Sequence, residues 1–232
     1  MNKPFAQFPP RGAPVSLASW GWEMAEVARV SFAPPPFPAD AARGTGQSVI
    51  VLPGFGTDDN ATARLRQFLE VQGFSPLRWP CGFNFGPMKS VLARVERQVT
   101  ETALRHGKVA LVGASLGGTI AREIARRKPD LISHVITLGS PVRLPVVSPL
   151  APFAQMFSLL WEAEARAVFG RIAEPLPVPL TAIITRQDGI VDWRCCLPEP
   201  GDGETVEVTG AHSTLASSPD VQRIIADRLA PA

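Results

Sequence analysis

The chain has 232 residues, 45% apolar and 19% charged, with a formal net charge of +2. That length holds one α/β domain or two smaller ones, and at this size folding buries roughly 70–75% of the unfolded surface, enough for a core of its own. So small a net charge, on Lys and Arg that are scattered instead of striped, argues against nucleic acid as a partner, and three cysteines and three histidines without ligand spacing argue against a disulfide framework or a metal site.

Residues 1–47 read as a leader. The opening MNKPFAQFPPRGAP is broken by prolines and lacks the apolar run of a secretory signal. No stretch approaches the ~20 apolar residues of a transmembrane segment, so a soluble, cytoplasmic protein is expected. Leu17 to Val30 repeats Ala, Trp, Met and Val at helical intervals and predicts one amphipathic helix, after which APPPFPAD extends the chain.

From residue 48 strands and helices alternate. SVIVLP (Ser48–Pro53) is the continuous β-branched run of a strand buried on both faces. Thr57, Asp58 and Asp59 suit a helix start, with helix from Ala61 to Val71 stopped by Gly73. SPLRWP predicts a short second strand, Val91 to His106 a second helix, KVALVG a third strand and Gly117 to Arg127 a third helix. The basic cluster Arg122, Arg126, Arg127 and Lys128 reads as the solvated face and end of that helix, where cations are favoured. ISHVITLG, LTAIITR and ETVEVTG supply three more strands, and Ser218-Pro219 opens a last helix that runs to about Leu229. Such alternation implies parallel pairing with right-handed crossovers, hence an α/β doubly wound, mostly parallel sheet of about six strands. The domain is expected to span 48–232.

The rhythm breaks at about 142–178, a proline-bounded insertion with a helix expected over about 152–169. At a strand's C-terminal end it is either a lid over the site, with Phe153, Met156, Phe157, Leu160 and Trp161 facing an apolar substrate, or an ordinary crossover. The same apolar residues also suit a homodimer surface.

Gly113-Ala114-Ser115-Leu116-Gly117 matches G-x-S-x-G between a strand and a helix, the context that places a serine on a tight, strained turn. A serine hydroxyl needs a base. Among the three histidines, His106 ends a helix and His134 begins a strand, whereas His212 follows the last strand in a small-residue loop, GAHST. The acid belongs after the fifth strand, where TRQDGIVDW offers Asp188 and Asp192; Asp188 lies directly at the strand end and is preferred. Its role is to fix the imidazole tautomer and stabilise the imidazolium. An oxyanion hole requires the backbone N–H of Leu116 and a second donor from the loop after the first strand, Pro53-Gly54-Phe55-Gly56, where Phe55 is the natural donor and Gly54 lets the chain turn. Cys81 stands alone, and Cys195 and Cys196 are adjacent and badly placed to bridge.

These pieces resemble the α/β-hydrolase superfamily, in particular its small bacterial lipases and esterases. VLPGFGTDD is similar to the oxyanion loop, with Pro53-Gly54 in place of the frequent His-Gly. GASLGGTIAREIARRKPDLISHVITLGSP is similar to the elbow, helix and next strand, TRQDGIVDW to the acid loop and TGAHSTL to the histidine loop. WPCGFNFGP (Trp79–Pro87) is similar to a segment of hydrolases related to the GPI inositol deacylase group, and its Asn84 is expected to bond the oxyanion loop's backbone. The resemblance covers about residues 48–229. It implies a serine carboxylester hydrolase acting on a small-molecule ester with an apolar acyl group, through an acyl-enzyme on Ser115 and without a cofactor. Two other readings fit the same residues: a serine acyltransferase on the same triad, and a non-catalytic homologue that binds an apolar ligand.

Overall fold

The computed structural model describes residues 17–143 and 162–231. Six strands form one sheet: β1 (Ser48–Leu52), β2 (Ser75–Leu77), β3 (Val109–Ala114), β4 (Ile132–Leu138), β5 (Leu180–Ile184) and β6 (Glu204–Glu207). Every neighbouring pair is parallel, in the order β2-β1-β3-β4-β5-β6. The helices are α1 (Leu17–Phe32), α2 (Ala63–Val71), α3 (Lys89–His106), α4 (Leu116–Arg127), α5 (Ala163–Gly170) and α6 (Pro219–Leu229).

The period of two along the strands decides the layers. Val49 and Val51 of β1 point to one face and join Leu65, Phe68 and Leu69 of α2 with Val221, Ile225 and Leu229 of α6. Ile50 and Leu52 point to the other face and join Val91, Leu92, Val95 and Val99 of α3 with Ile120 and Ile124 of α4 and Val168 of α5. Both faces of the central strands are therefore covered, and every residue of β1 and β5 is buried.

The register sets Leu52 beside Gly113, Ala114 beside Leu138, Leu138 beside Ile183, and Ile184 beside Glu207. The C-terminal strand ends thus form one edge. After β1 the chain goes outward to β2 and returns on the other side of β1 to β3, so the crevice between the ends of β1 and β3 is the switch point where open α/β sheets hold ligands.

Several elements differ from the sequence reading in instructive ways. The second strand stops at Leu77 because the N–H of Trp79 turns away to Asp59 Oδ1 (2.8 Å). The helix expected from Ala61 begins with a 3-10 turn, Asp59–Thr62, which Asp58 caps by accepting from the Asn60 N–H. The basic cluster is not all solvated: Arg122 is fully buried and pairs with Asp202 at 3.3 Å, while Arg127 binds Glu123 (2.6 Å), Glu96 (2.9 Å) and Glu164 (2.8 Å). Of the insertion, Phe153, Met156, Phe157, Leu160 and Trp161 lie outside the described residues; the described helix, α5, starts only at Ala163, where Glu162 before it is extended (φ −63°, ψ 166°), and runs one residue past the expected end.

Candidate active site

The strand-to-helix turn after β3 puts Ser115 at φ 49°, ψ −122°, the one positive-φ residue other than glycine among the described residues. Holding a serine there costs on the order of 1–3 kcal/mol, which its surroundings must supply. Its N–H donates to Leu138 O (2.8 Å) and its carbonyl accepts from the Gly118 N–H (2.9 Å). The flanking glycines permit the turn's close packing. A Cβ at Gly113 would lie 2.5 Å from the Gly117 carbonyl, and one at Gly117 would lie 2.6 Å from the Pro53 oxygen. Ser115 is half-buried, and Leu116 opens α4, whose first backbone N–H groups have no partner within the helix.

Gly54 stands directly opposite: a Cβ built on it would lie 3.4 Å from the Ser115 Cβ. Its loop is held from behind by Asn84, which is fully buried. The Asn84 side-chain amide donates to Pro53 O (2.7 Å), its backbone carbonyl accepts from the Gly56 N–H (2.8 Å), and its N–H donates to Thr57 O (2.9 Å). The Thr57 hydroxyl closes the turn on Gly54 O (2.9 Å). A proline has no N–H and cannot tie itself down by donating; here its carbonyl is the tied group. Phe55, in the middle of this loop, meets Phe85 edge-on at 6.0 Å, and Phe85 stacks with Phe83 at 6.1 Å. Phe83 is 59% exposed, so an aromatic row runs from Phe55, the residue after Gly54, out to solvent.

Asp188 and His212 meet as the sequence order implies. The imidazole Nδ1 lies 2.6 Å from Asp188 Oδ2, while Asp188 Oδ1 accepts from the Ile190 and Val191 N–H groups (2.9 and 2.7 Å). The two backbone bonds leave the carboxylate no freedom to turn from the ring. Asp192 is occupied elsewhere, capping the turn Trp193–Cys196 through the Arg194 N–H (3.0 Å). The pair sits over the end of β4: a Cβ on Gly139, the residue after the Ser115 partner Leu138, would lie 2.8 Å from His212 Nδ1 and 3.2 Å from Asp188 Oδ2. Ser115, Asp188, His212 and the Gly54–Phe55 turn therefore converge on one strand edge. Burial alone would lower the basicity of His212, but the charge and hydrogen bond of Asp188, with the charge of Glu23, outweigh it and raise its pKa above the ordinary 6.5.

The other two histidines lie elsewhere, His106 exposed at the end of α3 and His134 in β4. His134 bonds Thr181 Oγ1 at 3.0 Å, and burial lowers its pKa. Burial pushes the Cys81 thiol up to about 11 and the Cys196 thiol well above its ordinary value, which leaves both poor nucleophiles. Among the described residues, no group of three His, Cys, Asp or Glu side chains is placed to hold a metal ion.

Glu23 was not singled out by the sequence reading. It is buried on the inner face of α1, and its Oε1 accepts from the N–H groups of Gly189 (2.8 Å) and His212 (2.7 Å), its Oε2 from that of Ser213 (3.0 Å). The one local signal is an acidic residue on the inward stripe of an amphipathic helix, between Trp22 and Val27.

A family model described as "alpha/beta hydrolase fold" matches residues 39–174. Among solved structures, a monoacylglycerol lipase from Paleococcus ferrophilus superposes with a TM-score of 0.58 at 17% identity, over 81% of this chain and 96% of that one. The thioesterase domain from the curacin biosynthetic pathway gives 0.56 at 15% identity, over 79% and 90%. One of the metagenome-derived lipolytic enzymes LipS and LipT gives 0.57 at 14% identity, over 80% and 94%. Comparison with curated proteins finds no match. Within the described residues no helix is long and apolar enough to cross a membrane.

Proposed function

Because the chain belongs to the alpha/beta hydrolase fold family, whose fold hosts many chemistries, we propose from the site itself that it is a serine carboxylester hydrolase with Ser115 as nucleophile. The observation that carries this is the placement, at one sheet edge, of a strained serine bonded to Leu138 and of a histidine that packs on the next residue, Gly139, and is held at 2.6 Å by a carboxylate. His212 takes the Ser115 proton as Oγ attacks the ester carbonyl. The tetrahedral oxyanion is received by the N–H groups of Leu116 and Phe55, two donors on the order of 3–4 kcal/mol each. His212 then gives the proton to the leaving alcohol, and water, deprotonated by the same ring, releases the acid from the acyl-enzyme. Asp188 stabilises the imidazolium formed at each step. Gly54, Gly113 and Gly117 make room for these approaches, and Asn84 keeps the oxyanion loop in place.

The aromatic wall of Phe55, Phe85 and Phe83 supports an apolar acyl or alcohol group as the substrate's non-reacting part. Catalysis by these side chains needs no cofactor. The test is turnover of p-nitrophenyl esters of short and medium acyl chains by wild type and Ser115→Ala. Loss of the nucleophile is expected to lower kcat by on the order of 10⁶-fold. Equal rates in the two proteins would remove Ser115 from the chemistry, and faster transfer than hydrolysis on adding an alcohol would make the enzyme an acyltransferase.

A further inference from the structure

The reading of the triad rests on residues after position 48, yet one of its supports comes from the leader. Helix α1 turns one face toward the protein, with Glu23 buried and Ser19, Trp22, Glu26, Val27 and Val30 half-buried. From this face Glu23 reaches two loops that carry different members of the triad, Gly189 next to Asp188 and His212 with Ser213. The carboxylate is the joint between the acid loop and the histidine loop. Both of its oxygens are used, and all three partners are backbone donors whose positions fix the two side chains that must meet.

We propose that Glu23 is a positioning residue of the catalytic centre, and that α1 is a clamp that aligns Asp188 and His212 and adds a second negative charge beside the imidazole. The approach of α1 is close enough to dictate its neighbour. A Cβ on Gly189 would lie 2.5 Å from Glu23 Cγ and 2.6 Å from Ser19 O, so the residue after the catalytic acid must be glycine for the helix to dock. Buried charge–backbone bonds of this kind are about twice as strong as neutral ones, and they act here through the main chain of His212 itself. The charged groups acting on the ring are Asp188 from the loop after β5 and Glu23 from α1, and the Cys196 thiol lies within the field of Asp188 and Asp192. During acyl transfer the ring becomes a cation, with Asp188 at its Nδ1 and the Glu23 carboxylate held on the backbone N–H of the same residue.

The proposal builds on the serine-hydrolase reading, so its test includes a measurement that uses no substrate. His212 is titrated by NMR in wild type, Glu23→Gln and Glu23→Asp. The Gln variant removes the charge and turns an NH2 group toward one of the three donors. The His212 midpoint is expected to fall by about one unit, and kcat/KM at neutral pH by about tenfold or more through misalignment. Glu23→Asp, which keeps the charge, is expected to restore most of the midpoint. A purely structural role would lower the melting temperature and leave the midpoint of the folded fraction where it was, and that result overturns the proposal. Should the Gln variant fail to fold, hydrogen exchange in wild type decides. The amides of Gly189, His212 and Ser213 are expected to be protected and to open together, and fast, independent exchange would overturn the clamp. If wild type turns over no ester yet the midpoint still moves, the functional reading fails and the clamp stands.

Discussion

Two buried polar regions of this molecule use the same kinds of residues to opposite ends. Behind the sheet, where α4 meets α5, Glu123 is fully buried and is bound by Arg127 and Arg171, and Arg122 is fully buried against Asp202. Burial pushes the Glu123 carboxyl up, but the hydrogen bonds of Arg171 and Arg127 outweigh it and hold it below its ordinary value. The Asp202 carboxylate is spent on Arg122 and on the Leu176 N–H (2.8 Å). At the C-terminal edge the buried carboxylates Glu23 and Asp188 are bonded mostly to backbone N–H groups, which pin loops, and what remains of Asp188 is aimed at an imidazole. Charges consumed by arginines hold layers together; charges consumed by the backbone position side chains that keep a reactive atom.

Substitutions in the two regions should therefore separate activity from stability. The largest effect is expected at the edge: Asp188→Asn keeps the size and one acceptor oxygen but loses the charge and spoils the tautomer, so kcat should fall about 10⁴-fold, with unfolding free energy changed by about 1 kcal/mol or less in urea titration. Asp202→Ala should do the reverse. It leaves the Arg122 guanidinium buried without its partner, at about 3–5 kcal/mol of stability, while the folded protein keeps its kcat/KM. A large activity loss in Asp202→Ala, or a large stability loss in Asp188→Asn, would erase the distinction.

Asn84→Ala should fall between. It frees the Pro53 carbonyl and loosens the Gly54–Phe55 turn, costing about 1–3 kcal/mol for the unsatisfied buried acceptor and about 10²-fold in kcat from a displaced oxyanion donor, with KM little changed. If only stability responds, Asn84 supports the fold and not the oxyanion loop.

The two regions also differ in how far the sequence discloses them. The G-x-S-x-G turn between an apolar strand and a helix, and an acid and a histidine each just past a later strand, are local patterns, and the structure brings Ser115, Asp188 and His212 to one edge. Asn84 was singled out from its segment as a support for the loop after the first strand, and its side-chain amide does donate to Pro53 O. Partners far apart in the chain left no such trace. Arg122 looked like one more cation on a solvated helix because Asp202 lies 80 residues on, and Glu23 is separated from Gly189 and His212 by 166 and 189 residues. Helical periodicity says which face of α1 turns inward, but not which backbone amides wait there.

The central claim, that Ser115 is an activated nucleophile, is met most directly by treating the wild-type protein with a fluorophosphonate and locating the adduct by peptide mass spectrometry. The account predicts a single stoichiometric adduct on Ser115, absent from Ser115→Ala and formed slowly in Asp188→Asn. No adduct on the folded wild type, or one on another residue at the same rate in all three proteins, would contradict it.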